Sequence, residues 1–593
     1  MRLLPPRFFV RIIFPVLLFS LAAALLAIAP SSVNQSMGSS ASSQDQTPIA
    51  QSKVVQHSGV QFGDRYRGTT VHVQKGTGYF TVSKVGDRWT FVTPEGNAFW
   101  LLSVYATYHA FLESTVAAKY GGDWSKWYTH RNQRLLDWGF NTLGEYNETQ
   151  GLPIDMNGGR NANAVKLPFI AEINAMTAMR GHPAMFGISE APKDIVPGVP
   201  ATTYKLWRGS RMTDMFDPKL TTAYHNVVAY QNNRVYDPAH GGFNSVSWLI
   251  GITTDDTDVL FGIKETSNPN VGYMVAVVKP QYTAAENRGV TPVDPKLYSK
   301  YAWVDMLRAK YGTIQALNVA WRSNYTSFDD DGGYGAGTGL LDEDGRHTAW
   351  LGNDAVDLSS ARPAVKVDMN AFVYRYAYQY AKAAVDAIRA YDQHHLIFGP
   401  MALGAAGRFA IPQVLQAFSD AGINVIQMGA DLHGDMRGAK AAYDQLGKPV
   451  YLWYAVSANA DSALYPYPNR QEVLDLRTQA ARATQYAADL QTFFNAQGTN
   501  GDKYILGIDW WALTDGRFYE KSNWGLITRN DNAYDGKEAV RRAGTDSAGF
   551  RTGGEERDYG DFLSTVRNTN FEIQTRLTRD LATFARSPDK FKK

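Results

Sequence analysis

Cysteine is absent from the 593 residues. That absence alone removes disulfides, thiolate nucleophiles, iron–sulfur clusters and zinc–thiolate sites. No sign of charge dominates either: 59 Lys and Arg stand against 57 Asp and Glu, a net charge of +2, so no basic surplus marks a nucleic-acid surface. Past residue 30 no run is long and apolar enough to cross a bilayer. There is no internal repeat, and no Gly-rich phosphate fingerprint follows the first strand candidate. The 11 histidines contain no pair at zincin spacing. Neither a cofactor nor a metal is implied by these features. What is present is 44% hydrophobic and 13% aromatic, enough apolar material at this length to fold without covalent staples.

The N-terminus reads as an export signal. Arg2, Arg7 and Arg11 precede an apolar run over residues 12–29 that ends Ala27-Ile28-Ala29. The run is near the lower limit for a spanning helix, so residues 1–30 are either a cleaved signal peptide or an N-terminal anchor. The mature protein is then periplasmic, secreted or tethered outside the cytoplasmic membrane. Residues 31–75 begin in Ser, Gln, Asn and Ala, a composition that cannot offset its ordering entropy, and read as a flexible linker. Residues 76–100 alternate about Gly86-Asp87 and Pro94-Glu95-Gly96-Asn97, the pattern of a β-hairpin or small meander.

From 101 to 545 short apolar runs alternate with amphipathic stretches. Strands are expected at 101–108, 141–146, 169–174, 248–254, 396–401, 424–428, 450–454 and 505–511. Eight strands separated by helices indicate an α/β fold, an enlarged (β/α)8 TIM barrel preceded by the hairpin, with a doubly wound sheet as the alternative. Residues 546–593 read as a charged helical tail.

A barrel of this kind carries its chemistry at the C-terminal ends of the strands. Those ends supply Tyr108, Glu145 and Asn147, Glu172 and Asn174, then Asp255, Asp256 and Asp258. Further round come Asp431 and His433, Trp453 and Tyr454, and finally Asp509, Trp510, Trp511 and Asp515. Carboxylates serve as acid and base or bind hydroxyls, and indole faces stack on sugar rings, so the mixture suits a carbohydrate substrate. Adjacent Trp510 and Trp511 must point to opposite faces of a regular strand, one to the core and one to the site. Other readings stand beside these: an Asp cluster after a strand can be a helix N-cap, and Glu145 can be a buried ion-pair partner. Trp138 and Trp321 are expected in the core, and His109 and His433 as ordinary loop or core residues.

Several segments resemble the (β/α)8-barrel glycoside hydrolases of the large retaining clan, in the agarase-like and beta-galactosidase-like branches. They are WTFVTPEGNAFWLLSVYA before the first strand, RLLDWGFNTLGEYNE at the second, KYGTIQALNVAWRSNYTSF after the fourth, DQHHLIFGP at the fifth and GIDWWALTDGRFYEKSNWGLITRNDNAYDG at the eighth. The resemblance implies a hydrolase of O-glycosidic bonds. It also implies an Asn-Glu pair ending strand four and a Glu ending strand seven. Here Thr257 follows Asp255-Asp256 at the first position, Trp453 or Tyr454 occupies the second, and the next acid is Asp461.

Three readings follow. In the first, the enzyme is active, with Asp256 or Asp255 as general acid and Asp509, Asp431 or Glu145 as base or nucleophile. In the second, the barrel is a pseudo-glycosidase that binds sugar without cleaving it. In the third, Asp255, Asp256 and Asp258 hold a hard cation such as Ca²⁺.

Overall fold

The computed structural model describes residues 61–107, 113–145, 147, 165–173, 216, 218–234, 242–254, 298–329, 338–341, 362–404, 412–430, 436–455, 458–459, 475–476, 479–514, 525–528, 531–532, 544–545, 551–552 and 560–585. Among these, no helix is long and apolar enough to cross a membrane. The signal sequence and most of the expected linker lie outside the described residues.

Three short strands come first: β1 (Thr81–Val85), β2 (Arg88–Val92) and β3 (Ala98–Phe99), in one antiparallel sheet. Eight parallel strands then close into a barrel. In chain order they are β4 (Leu101–Val104), β5 (Thr142–Leu143), β6 (Phe169–Glu172), β7 (Leu249–Thr253), β8 (Leu396–Gly404), β9 (Val425–Ala430), β10 (Val450–Ala455) and, after a short parallel pair β11 (Ala458–Asn459) and β12 (Asp475–Leu476), β13 (Ile505–Trp511). They neighbour one another in sequence order, and β13 closes the ring on β4 through Gly507 beside Leu101 and Asp509 beside Ser103. Each strand coincides with an expected apolar run, and the doubly wound alternative is excluded by closure.

Side-chain alternation divides the interior from the exterior. Leu101, Ile170, Ile250, Phe398, Val425, Tyr451 and Leu506 point inward near the strand starts. They form one cluster with Tyr66, Phe80, Phe91 and Phe99 from the preceding segment. The small antiparallel sheet thus floors the barrel, with Phe91 on Phe398 at 6.1 Å between ring centroids. Packing begins earlier than 76: Tyr66, Val71 and Val73 are buried, so residues 61–75 belong to the folded body and not to the linker.

Ten α-helices fall among the described residues: α1 (Glu113–Tyr120), α2 (Trp124–Asp137), α3 (Pro218–Arg234), α4 (Tyr298–Tyr311), α5 (Ile314–Trp321), α6 (Pro363–Arg389), α7 (Pro412–Ala421), α8 (Arg437–Leu446), α9 (Gln479–Asn495) and α10 (Gly560–Leu581). Local sequence sets their limits. Asp123 caps α2 by accepting the N–H groups of Ser125 and Lys126, Pro363 opens α6, and Gly447, left-handed at φ 62°, ends α8. Trp321 is fully buried and its indole N–H donates to Asp368 at 2.8 Å; Trp138 is buried too.

The expected tail is a barrel helix. α10 packs against α9, inserting Phe562, Val566, Ile573 and Leu577 into the main core. It also reaches the turn between α2 and β5, where the Asn570 amide donates to Trp138 O at 2.9 Å and the Gln574 amide to Gly139 O at 2.8 Å. Gly139 permits this twice over: its φ is +78°, and a Cβ there would lie 2.7 Å from Asn570 Cβ. The barrel therefore extends beyond 545: Phe562 of this helix covers Trp510 of the eighth strand together with Tyr486 of α9. Phe562→Ala is expected to lower stability by about 3–5 kcal/mol, read as the loss in urea-unfolding free energy.

Candidate functional site

Above the apolar floor the barrel interior turns polar. In a closed eight-stranded barrel the side chains of one layer come from alternate strands. Here the second, fourth, sixth and eighth strands contribute Glu145, Thr253, Gln427 and Asp509, all fully buried. Glu145 Oε1 accepts the Thr253 hydroxyl at 2.8 Å and also the Gln427 amide. A carboxylate from strand two that is held by strands four and six must lie near the barrel axis.

Asp509 is pressed against the end of strand two. A Cβ on Gly144 would sit 2.0 Å from Asp509 Oδ1 and 2.4 Å from Oδ2, and the Glu145 backbone N–H donates to Oδ2 at 3.3 Å. Ser103 Oγ, on β4, lies 2.8 Å from Asp509 Oδ1, 3.0 Å from the Ile508 carbonyl oxygen and 3.2 Å from the Tyr451 hydroxyl. Burial raises the Asp509 carboxyl to about 7, against the opposing effect of hydrogen bonds from Ser103, the Glu145 N–H and Tyr451. The Tyr451 phenol is pushed well above its usual value, first by burial and then by the negative charges of Asp509 and Glu145.

One step further along the inner face stand three aromatics. Trp453 and Trp511 follow Tyr451 and Asp509 by two residues, the period that returns a side chain to the same face. Their rings are 4.8 Å apart, and Tyr105 meets them edge-on at 6.1 and 6.4 Å. The Trp453 indole N–H is buried without a hydrogen-bond partner, as is Gln427 Oε1.

The structure corrects two expected substrate contacts. Trp510 is fully buried on the outer face, between Tyr454, Tyr486 and Phe562, with the Arg482 guanidinium 5.4 Å from its ring. Tyr454 points the same way and donates to Asp489 on α9 at 2.6 Å. Strand alternation sends both residues to the helix layer. Asn147 is buried, and its amide joins strands two and three through Gly144 O and Ile170 O, both at 2.6 Å. Glu172 is buried at the end of β6, level with Thr253. Tyr108, Asp255, Asp256, Asp258, Asp431, His433 and Asp515 lie outside the described residues, as do Asn174, His109, Thr257 and Asp461.

Sequence reading missed Ser103, Tyr105, Thr253, Gln427 and Tyr451. The available signal was a polar residue inside an otherwise apolar strand, as in LLSVY, LIGIT and VIQMG.

With this geometry in place, solved structures give the context. PfGH50B superposes with a TM-score of 0.58 at 17% identity, over 86% of this chain and 68% of its own. An exo-beta-agarase gives 0.56 at 16% identity, over 87% and 67%. The agarase AgWH50C gives 0.57 at 15%, over 87% and 68%. The chain has the barrel fold of the agarases. No family model matches the sequence, and no curated protein does.

Two outcomes are expected from this packing. Gly144→Ala forces a methyl into the Asp509 carboxylate and is expected to cost about 1–3 kcal/mol, measured by chemical denaturation. The folded state also holds a proton on Asp509 between the ordinary carboxylate range and about pH 7, where the unfolded chain has released it. That contribution is present at acid pH and is lost as pH rises through about 7. The urea midpoint should therefore fall between pH 5 and pH 8, and Asp509→Asn should flatten the fall.

Proposed function

We propose that this protein is an exported glycoside hydrolase that cleaves O-glycosidic bonds of a poly- or oligosaccharide with carboxylate acid–base chemistry. The observation that carries the proposal is the interior layering. An aromatic trio, Tyr105, Trp453 and Trp511, stands one step above a carboxylate gripped at the barrel axis. Indole and phenol faces suit the C–H surface of a sugar ring. The unpartnered Trp453 N–H and Gln427 Oε1 suit its hydroxyls, because buried polar atoms need partners. The agarases sharing the fold support the reading, and agarose oligosaccharides are the first substrates to test.

Asp256 or Asp255, following β7, serves as the general acid, its proton retained by the neighbouring carboxylate. The second carboxylate comes from Glu145 or Asp431. The outcome at the anomeric carbon follows from the separation: about 5–5.5 Å between carboxyls gives retention and about 6.5–9.5 Å gives inversion. An N-terminal signal or anchor places the enzyme outside the cytoplasmic membrane.

A binding-only barrel is favoured by one observation. The end of strand seven offers Trp453 inward and Tyr454 outward, and no carboxylate. The two readings separate cleanly by experiment. Asp256→Asn should abolish release of reducing ends by at least 100-fold, in line with loss of a general acid, while the unfolding midpoint stays unchanged. Full activity in that variant overturns the assignment of Asp256. Oligosaccharide binding by calorimetry with no reducing ends from the wild type establishes the binding reading instead.

A further inference from the structure

Among the described residues, solvent reaches the upper interior of the barrel over strands six and seven. Gln427 and Tyr451 are neighbours there, and both are fully buried. Two residues on, the step that keeps a side chain on the same face, stand Gly429 and Trp453, also neighbours. Both are half-buried, whereas Tyr105, Thr253 and Trp511 on the inner faces of three other strands are buried. Gly429 leaves a place unfilled. A Cβ there would meet, among the described residues, only Trp453 Cε3 at 3.7 Å, an ordinary van der Waals distance. Below that place lies Gln427, whose amide is fixed in orientation. Its NH2 group donates to Glu145 Oε1, which also accepts the Thr253 hydroxyl; turning the amide over would set oxygen against oxygen. Gln427 Oε1 is therefore an acceptor, buried and without a partner, and a buried acceptor calls for a donor.

We propose that Gly429, Gln427 and Trp453 form a slot at the bottom of the cleft that takes the hydroxymethyl group of a sugar ring, and that Gly429 determines this specificity by leaving the slot open. A hydroxymethyl group is the sugar hydroxyl that projects from the ring on a carbon of its own, so it enters where a side chain is missing. Its O–H donates to Gln427 Oε1, and the C–H surface of the ring lies against Trp453. The Trp453 N–H is on the long edge of the indole away from Cε3, and its unpartnered hydrogen serves a second oxygen of the same sugar. One amide thus holds both the substrate and Glu145, which fixes the ring relative to that carboxylate. Capping the hydroxymethyl oxygen removes the hydrogen that Gln427 needs and adds bulk. That the ligand is a sugar rests on the hydrolase reading above; that the cleft ends at Gly429 does not.

Calorimetry of the full chain with agarose oligosaccharides, and with the same oligosaccharides methylated at the galactose hydroxymethyl oxygen, tests the slot. Gly429→Val should weaken binding of the unmethylated sugar by about tenfold or more, as overpacking does, with an unchanged unfolding midpoint. Gly429→Ala puts only a methyl at contact distance from Trp453 and should give a smaller loss, which keeps the test open should the valine variant fail to fold. Methylation should weaken binding to the wild type and add no further loss in Gly429→Val, because both changes block one slot. Wild-type affinity in both glycine variants overturns the proposal, and so does a methylated sugar bound as tightly as the free one. A wild type that binds none of these sugars at millimolar concentration overturns it as well. Binding with the expected losses but no reducing ends released leaves the slot standing, and the hydrolase reading fails. Cleavage with an unchanged KM in Gly429→Val does the reverse.

Discussion

The grip on the Glu145 carboxylate is the constraint around which the interior is arranged. A carboxyl group at the axis of a closed barrel is costly unless it is hydrogen-bonded, and strands four and six supply two bonds to Glu145 Oε1 from across the ring. Their donors must reach the same height, which requires the register of the whole sheet. Below that height the interior is apolar and floored by Phe80, Phe91 and Phe99. Above it stand Trp453, Trp511 and Tyr105, packed ring against ring. Burial of this layer strengthens every electrostatic interaction within it.

The fold was legible because barrel strands are buried on both faces and read as apolar runs, and all eight coincide with strands. The candidate site was legible only where a carboxylate stood at or near the end of such a run, as with Glu145 and Asp509. Ser103 and Gln427 sit inside runs and Thr253 closes one without a charge, and their contribution depends on which strands lie opposite them, a pairing that linear order does not contain. Trp510 and Tyr454 failed as substrate contacts for a related reason. Position at a strand end is visible in sequence, whereas the face depends on register. The C-terminal helix was misjudged because its charged outer side masked the stripe formed by Phe562, Val566, Ile573 and Leu577.

The residues that carry the resemblance to barrel glycosidases hold the framework. Asn141 accepts the Leu102 N–H and donates to Trp100 O, joining the first two strands. Asn318 closes the turn after α5 through Tyr325 N and O, while Leu317 and Trp321 beside it are core. Such positions resist change because each one satisfies buried backbone groups. At the end of strand seven, Tyr454 serves α9 and Trp453 joins the aromatic trio. The framework of a fold and the chemistry at its strand ends can thus vary independently.

Ring closure has a kinetic side. Strand β4 waits for β13, its partner some 400 residues later, and Trp138 O waits for Asn570 across a separation of 432 residues. Until both arrive, a growing chain carries an open strand edge lined by Leu101, Ser103 and Val104, together with the uncovered face of β13. Contacts of such long span slow folding and leave sticky edges exposed meanwhile. The same closure that brings strands two, four and six together around Glu145 in the finished molecule leaves the half-made one with exposed strand edges.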